Sequence, residues 1–322
     1  MRPQIPRRPV AGSISAQIEA LHSESFWHSE SFWYLIPVST IIGLGRTPSI
    51  SLRRRGWCGQ PVAMTHLTHP PLLRTRGLTK SFRSLVALRD HGIDVASGEI
   101  VGVIGPNGSG KSTFFNLVSG FLRADRGSVL FDGRPIERRS AAEIVKLGIA
   151  RTFQGSRLFR SLTVAENIRA AAQLRQPTGM LDALLGTPKL RRAEAEVEAT
   201  TEELLDLVGL TVRGDARAGE LPYGDQRRLE LMRALATRPR LLMLDEPAAG
   251  MDARETQALL RLIDGIRRRF ALAVIVVEHD MDLIMNLCDR IQVLAHGERI
   301  FEGTPAAVQA HPRVREVYLG HA

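Results

Sequence analysis

The sequence predicts an α/β fold, and three observations support that prediction. From Leu72 onward, short apolar runs rich in β-branched residues alternate with stretches of helical pattern. One of these runs, Ile100–Ile104, leads directly into a glycine-rich loop. Two later apolar runs end in charged residues, as strands do when they present side chains at the carboxyl edge of a parallel sheet. We therefore expect residues 72–322 to form one domain built on such a sheet.

The first 63 residues differ from the rest of the chain. They hold all three tryptophans and the hexapeptide His-Ser-Glu-Ser-Phe-Trp twice, at 22–27 and 28–33. One interpretation is a targeting or membrane-surface segment, since three arginines precede an apolar patch, but the patch begins late and lacks an obvious cleavage pattern. We prefer the other interpretation, in which residues 1–63 are a disordered extension or translated upstream DNA, with Met64 as the true start.

Composition narrows the classes of protein further. Lys and Arg number 43 against 34 Asp and Glu, a net charge of +9, but seven of the arginines lie in residues 1–63 against three glutamates. The charge therefore does not require a nucleic-acid partner, and we expect none.

The cysteines and the apolar stretches exclude two further classes of protein. Two cysteines far apart, Cys58 and Cys288, form neither a disulfide framework nor a metal cluster. The longest uncharged apolar stretch, residues 31–45, is shorter than the roughly 20 residues of a membrane-spanning helix.

The glycine-rich loop after the first apolar run matches the P-loop pattern Gly-x4-Gly-Lys-Ser. Its glycines let backbone N–H groups curl around phosphates, and the helix that begins near Lys111 points its positive end at them. We expect Lys111 to reach the β- and γ-phosphates and Ser112 to offer a hydroxyl to Mg²⁺. The preceding strand and following helix distinguish the motif from an ordinary glycine-rich turn. The expected nucleotide-binding residues are Gly105, Asn107, Gly108, Ser109, Gly110, Lys111, Ser112 and Thr113.

The region before the next strand has a helical pattern. Between residues 190 and 210, Val197, Leu204, Leu205 and Val208 repeat at helical spacing, which predicts one apolar face. Such a face is more often core than partner surface. At the end of the chain, residues 312–319 predict a small final helical element.

An acid pair follows the apolar run Leu241–Asp245. A buried strand would present Asp245 at its tip to coordinate Mg²⁺, and the next residue, Glu246, would orient or deprotonate a water that attacks the γ-phosphate. The alternative is that the two acids merely cap the next helix. The P-loop in the same chain favours the metal and water roles.

A histidine follows the third run, Ala273–Val277. Because the carboxyl ends of parallel strands line the ligand crevice, we expect His279 to lie at that crevice. A lone histidine is more often a structural hydrogen-bonding group than a catalytic one, so the neighbouring motifs are what favour a catalytic role here.

With these motifs, residues 72–322 resemble the ATP-binding subunits of ABC transporters. The resemblance implies a P-loop NTPase fold of ABC type, with a RecA-like core, an antiparallel β subdomain and a helical subdomain at about residues 155–235. Gln154, in Arg-Thr-Phe-Gln, resembles the glutamine that touches Mg²⁺ and faces the membrane subunits. His279 resembles the switch histidine at the γ-phosphate, and Phe82 the aromatic residue that stacks on adenine.

The signature motif of the family departs from its usual form. Leu-Pro-Tyr-Gly-Asp-Gln stands at residues 221–226, where the family has Leu-Ser-Gly-Gly-Gln. The resemblance implies that Gly224, Asp225 and Gln226 contact the ATP of a second chain, and that residues 249–252 resemble the D-loop between subunits. This form of the signature, with Asp-Glu-Pro-Ala-Ala-Gly and the tail Val-Tyr-Leu-Gly, is similar to the branched-chain amino acid importer subfamily.

The implied function is that of an ATPase that energises a membrane importer of branched-chain amino acids, or of urea, amides or aromatic acids. The resemblance implies Glu246, His279 and Gln154 as catalytic residues and Ser112, Gln154 and Asp245 as metal ligands, with ATP and Mg²⁺ bound. The implied partners are a second ABC ATPase chain, identical or paralogous, integral membrane permease subunits and, indirectly, a solute-binding protein. The implied location is peripheral, on the cytoplasmic face of the inner (plasma) membrane.

Two alternatives from other classes compete with the importer. The changed signature would suit a nucleotide-binding regulatory module with little hydrolysis, although the intact Gln154, Glu246 and His279 argue against it. A soluble ABC ATPase acting on DNA or ribosomes usually has two cassettes or a long coiled coil. This chain has one cassette and no heptad array.

Overall fold

The computed structural model describes residues 70–155, 157–176, 178–210 and 213–319. The predicted amino-terminal extension, residues 1–63, lies outside these ranges, as do Met64 and Cys58. Over the described ranges, no helix is both long enough and apolar enough to span a bilayer.

The described chain alternates strands and helices, as the sequence predicts. The strands are, in chain order, β1 (Leu73–Phe82), β2 (Leu85–Val95), β3 (Ile100–Ile104), β4 (Arg126–Phe131), β5 (Arg134–Pro135), β6 (Ile149–Arg151), β7 (Leu241–Asp245), β8 (Ala273–Val277), β9 (Arg290–Ala295) and β10 (Glu298–Gly303). The α-helices are α1 (Lys111–Val118), α2 (Ala141–Leu147), α3 (Val164–Ala172), α4 (Met180–Leu185), α5 (Pro188–Val208), α6 (Tyr223–Ala236), α7 (Ala253–Phe270), α8 (Met281–Leu287), α9 (Pro305–Ala310) and α10 (Pro312–Leu319). Short 3₁₀ helices occupy Gln173–Arg175 and Ala218–Glu220.

The central sheet has the strand order β10-β9-β3-β8-β7-β6 and is parallel except for β10, which runs antiparallel to β9. Strands β3, β7 and β8 are buried along their whole length, which is why they read as unbroken apolar runs. Val277 lies opposite both Val103 and Asp245 in the register. The carboxyl ends of the three strands are therefore level, and the motifs that follow them meet at one edge.

A second, antiparallel sheet has the order β2-β1-β4-β5. Its apolar face shares a core with α1 and one face of the central sheet, and Phe114 and Phe115 of α1 are completely buried there. This core holds the P-loop helix between the two sheets. The two sheets and the helices confirm the predicted α/β class with an antiparallel β subdomain.

The chain between β6 and β7 is largely helical and packs through α3, α5 and α6. On α5 the predicted apolar face is buried, at Val197, Leu204, Leu205 and Val208. The prediction that this face belongs to the core is therefore confirmed. The helix starts with Pro188 at its first turn and ends before Gly209, whose φ of +68° suits glycine.

Candidate functional site

The loop between β3 and α1 wraps tightly around the amino terminus of the helix. Lys111 Nζ donates to the carbonyl oxygens of Gly105 and Pro106, at 2.6 and 3.0 Å. A Cβ at Gly105 would collide with the carbonyl oxygen of Leu294, and one at Gly110 would lie 2.6 Å from that of Ala87. Glycine is therefore required at both positions, and the loop backbone is exposed at Asn107 and Gly108.

The polar groups of this loop suit a phosphate. Ser109 Oγ is buried without a hydrogen-bond partner, while Ser112 is exposed and Thr113 half-buried at the start of α1. Burial lowers the pKa of Lys111, and the charges of Glu246 and Asp245 partly oppose that shift. The loop thus combines an orphaned hydroxyl, a cationic amine and the positive end of a helix, a donor set that fits the phosphates of a nucleotide.

Asp245 forms a buried ion pair with Arg151 that the sequence does not predict. Its Oδ2 lies 2.7 Å from Arg151 Nη2, and the two side chains are only 9% and 7% exposed. Arg151 also donates to Asn116 Oδ1 at 2.6 Å and to Ser119 Oγ at 3.1 Å, both near the end of α1. The Arg151 guanidinium, at the end of β6, therefore forms hydrogen bonds both to the end of the P-loop helix and to Asp245, the predicted metal ligand. Its only signal in the sequence was its place in Arg-Thr-Phe-Gln.

The three predicted catalytic residues lie together at the carboxyl edge of the sheet. Gln154 Nε2 donates to Glu246 Oε2 at 2.7 Å, and His279 Nδ1 lies 3.9 Å from Glu246 Oε1. His279 is 68% exposed, so its ring is open to solvent. Neither acid caps the next helix, because the side chain of Asp252 caps α7.

A second carboxyl group, Glu278, lies behind these residues and was also missed. Its side chain is 1% exposed, and Oε1 accepts from the backbone N–H of Ala248 at 3.0 Å. Burial raises the pKa of Glu278. Its role in the structure is to hold the chain just after Glu246, and the apolar run that precedes it gave no sign of that contact.

Phe82 lies at the end of β1, and its side chain is exposed with Lys80 Nζ 5.7 Å from the ring centroid. The ring is therefore free on the surface to meet a flat partner.

The signature residues lie on the first turn of α6. Gly224 packs against α7, where a Cβ would lie 2.6 Å from Glu255 Oε1. Asp225 pairs with Arg213 at 2.5 Å and with Arg228 at 3.6 Å, while Gln226 Nε2 donates to the carbonyl of Leu221 at 2.8 Å. In the described part of the chain, the hydrogen bonds of Asp225 and Gln226 stay within the helical region and do not reach the P-loop.

Comparison with known proteins gives a consistent result. The family model described as "ABC transporter" matches residues 88–249, and the one described as "Branched-chain amino acid ATP-binding cassette transporter" matches residues 298–322. The high-affinity branched-chain amino acid transport ATP-binding proteins LivG of Escherichia coli (strain K12) and BraF of Pseudomonas aeruginosa are each 40% identical over 252 residues, covering 78% of this chain and 99% of the relative. A crystal structure of an ABC transporter cassette in its ADP conformation aligns with a TM-score of 0.68 at 32% identity, covering 78% of this chain and 99% of the other.

Proposed function

The chain belongs to the ATP-binding subunits of ABC transporters, and we propose that it hydrolyses ATP to drive import of branched-chain amino acids through separate membrane subunits. One observation carries the ATPase assignment. The level carboxyl ends of β3, β7 and β8 bring a P-loop lysine, an acid pair and a histidine to one edge of the sheet. That is the constellation needed to bind a nucleoside triphosphate and to activate water beside it.

The substrate class rests on the relatives. LivG and BraF are named for high-affinity branched-chain amino acid transport, and nearly their whole length aligns with this chain. The carboxyl-terminal residues 298–322 match a family model described for the same class of transporter. Branched-chain amino acids are therefore the solute we propose, ahead of urea, amides or aromatic acids.

Phosphate binding belongs to the P-loop in this proposal. Lys111 Nζ would exchange its bonds to the loop carbonyls for bonds to the β- and γ-phosphate oxygens. Backbone N–H groups of residues 107–112 and the amino terminus of α1 would add further donors. Phe82, exposed at the end of β1, would stack on adenine.

The metal site would use Ser112, Asp245 and Gln154. These residues would hold Mg²⁺, which would supply positive charge to offset that of the phosphates. The described residues contain no cluster of three or more His, Cys, Asp or Glu side chains suited to a metal. The proposed protein ligands are one carboxylate, one hydroxyl and one amide oxygen, with phosphate oxygens and water completing the set. The bond from Arg151 to Oδ2 would hold the Asp245 carboxylate in place in this site.

Hydrolysis would depend on Glu246. Its carboxylate takes a proton from the attacking water, and Gln154 holds that carboxylate in place through the 2.7 Å bond to Oε2. His279, 3.9 Å from the other oxygen of Glu246, would donate to the γ-phosphate. Glutamine in place of Glu246 would keep the shape of the site and remove the proton acceptor.

We further propose the assembly in which this site works. Residues 72–322 act as one nucleotide-binding domain whose helical subdomain, at about 155–235, presents Gly224, Asp225 and Gln226 to the ATP of a second chain. The segment around Gln154 faces permease subunits at the cytoplasmic face of the membrane, and a solute-binding protein delivers the amino acid to them. No nucleic acid takes part.

Uptake by whole cells tests the proposal. In source cells lacking this gene, uptake of labelled leucine is expected to be lost and to be restored by the wild type but not by Glu246→Gln. Glu203→Gln, which changes a 45% exposed carboxylate on α5, is the matched control and should restore uptake. Unaffected leucine uptake with lost urea uptake would move the solute to urea. No effect on either tracer would overturn the importer.

A further inference from the structure

Tyr223 connects the signature helix to the loop that follows Glu246. It is the first residue of α6, and its hydroxyl donates to the carbonyl oxygen of Ala249 at 2.8 Å. Its ring also packs on the loop, because a Cβ at Gly250 would lie 3.2 Å from Tyr223 Cε1. Gly250 has a φ of +80°, so the loop turns closely over the tyrosine ring.

Arg227 sets the direction of the tyrosine hydroxyl. Its Nε donates to Tyr223 Oη at 3.0 Å, and its guanidinium lies over the tyrosine ring. Arg227 is itself held by an ion pair with Glu230 at 2.8 Å, in which both side chains are at most 10% exposed. Because a guanidinium only donates hydrogen bonds, the proton of the tyrosine hydroxyl is left to point at Ala249.

Ala249 is in turn bonded to the carboxylate-bearing residue. Its backbone N–H donates to the carbonyl oxygen of Glu246 at 3.2 Å. Glu246 has a φ of +48°, a left-handed conformation that is unfavourable for a residue with a side chain and that persists only where its surroundings enforce it. The backbone of Ala249 therefore connects the two residues: its carbonyl accepts from the tyrosine hydroxyl, and its N–H donates to the strained Glu246.

We propose that Tyr223 is a positioning residue for ATP hydrolysis, which holds the Glu246 turn in its working conformation through the backbone of Ala249. The inference rests on the proposed function, because it takes Glu246 as the group that activates water. Tyr223 touches neither the P-loop nor the phosphates in this arrangement. Its loss should therefore slow the chemical step without weakening nucleotide binding.

Tyr223→Phe tests this, because it keeps the ring packed on Gly250 and removes only the hydroxyl. We expect kcat per nucleotide-binding site to fall by about three- to tenfold, with KM for ATP unchanged within about twofold. The number of nucleotide-binding sites per chain, measured by titration with a fluorescent ATP analogue, normalises kcat. A purely structural role would reduce that number and leave kcat per site at the wild-type value.

Thr201→Val is the matched control. It removes a buried hydroxyl that donates to the carbonyl of Val197, also at 2.8 Å, but within α5. Its kcat per site should equal that of the wild type. If Tyr223→Phe shows wild-type kcat per site, or a changed KM with the same kcat, the inference about Tyr223 is wrong although the proposed function stands. A wild-type chain that hydrolyses no ATP would overturn both.

Discussion

The ion pair between Arg151 and Asp245 is the most consequential contact of the site at the scale of single residues. Both side chains are nearly fully buried, so the removal of one charge leaves the other without compensation. The guanidinium also donates to Asn116 of α1 and to Ser119, which caps that helix, so Arg151 holds both the Asp245 carboxylate and the P-loop helix. We therefore expect stability and metal use to depend together on Arg151.

Arg151→Met should lower the free energy of unfolding by about 3–5 kcal/mol. It should also raise the Mg²⁺ concentration that half-saturates ATP hydrolysis, because Asp245 loses the group that orients it. The control is Arg240→Met, which breaks a 2.7 Å pair with Asp132 whose side chains are 51% and 54% exposed, at a cost under about 1 kcal/mol. Chemical denaturation and Mg²⁺ titration measure both effects. Equal losses in the two variants would show that burial of the first pair has no energetic importance.

The sequence predicts those site residues whose type and spacing within a short motif are enough to define a role. Lys111, Asp245 and Glu246 were found because a glycine-rich loop and an acid pair follow apolar runs. Arg151 and Glu278 were not, because their roles arise from contacts between segments far apart in the chain. The bond from Arg151 to Asp245 spans 94 positions, and no local pattern records it.

Among the helices, α3 shows how local sequence sets the ends of an element. Its N-cap is Thr163, whose hydroxyl accepts from the backbone N–H of Glu166 while the Glu166 carboxylate accepts from that of Thr163. This capping box fixes the start of a helix whose buried residues include Ile168 and the completely buried Asn167. The amino terminus of α3 therefore anchors the helical region between β6 and β7.

Thr163→Ala should lower the free energy of unfolding by about 1 kcal/mol, because it leaves the N–H of Glu166 without its acceptor. Thr163→Ser keeps the hydroxyl and should lose less than about half of that. Urea denaturation of the two variants and the wild type measures both changes in the free energy of unfolding. If alanine and serine have the same effect, the cap does not stabilise this helix.

The sequence predicted elements well where burial is uniform and poorly where it is not. Strands β3, β7 and β8 are buried throughout, so their apolar runs gave their positions directly. In contrast, β1 and β2 pair with several register shifts, which an alternating pattern does not reveal. Helix α4 was not predicted, since it has only six residues and exposes Leu184 and Leu185.

In the molecule as a whole, the two sheets are joined by a contact of the buried histidine His91. His91 of β2 has its Nε2 2.6 Å from Gln292 Oε1 of β9, and its ring lies 4.7 Å from that of Phe114, tilted by 50°. Burial lowers the pKa of His91 to about 4; the hydrogen bond to Gln292 opposes this shift, and the charge of Arg299 lowers the pKa a little further. The folded protein therefore holds this histidine neutral, whereas the unfolded chain binds a proton near pH 6.5.

This shift makes stability depend on pH. Above pH 6.5 the histidine is neutral in both states and does not change the free energy of unfolding. As pH falls towards 4, only the unfolded chain takes up the proton. The free energy of unfolding should therefore drop by up to about 3 kcal/mol. Denaturation curves between pH 4 and 7 should show a shallower slope for His91→Gln than for the wild type. His296→Asn, which alters an exposed histidine, should keep the wild-type slope. Parallel slopes in all three proteins would contradict this role of His91.

The proposed function depends on turnover of ATP with Glu246 as the group that activates water. The most direct measurement is ATP binding and steady-state hydrolysis by purified wild type and Glu246→Gln in excess Mg²⁺. We expect equal binding and a loss of turnover in the variant of about 10²-fold or more. Turnover of ATP by Glu246→Gln at the wild-type rate would show that Glu246 does not activate the attacking water.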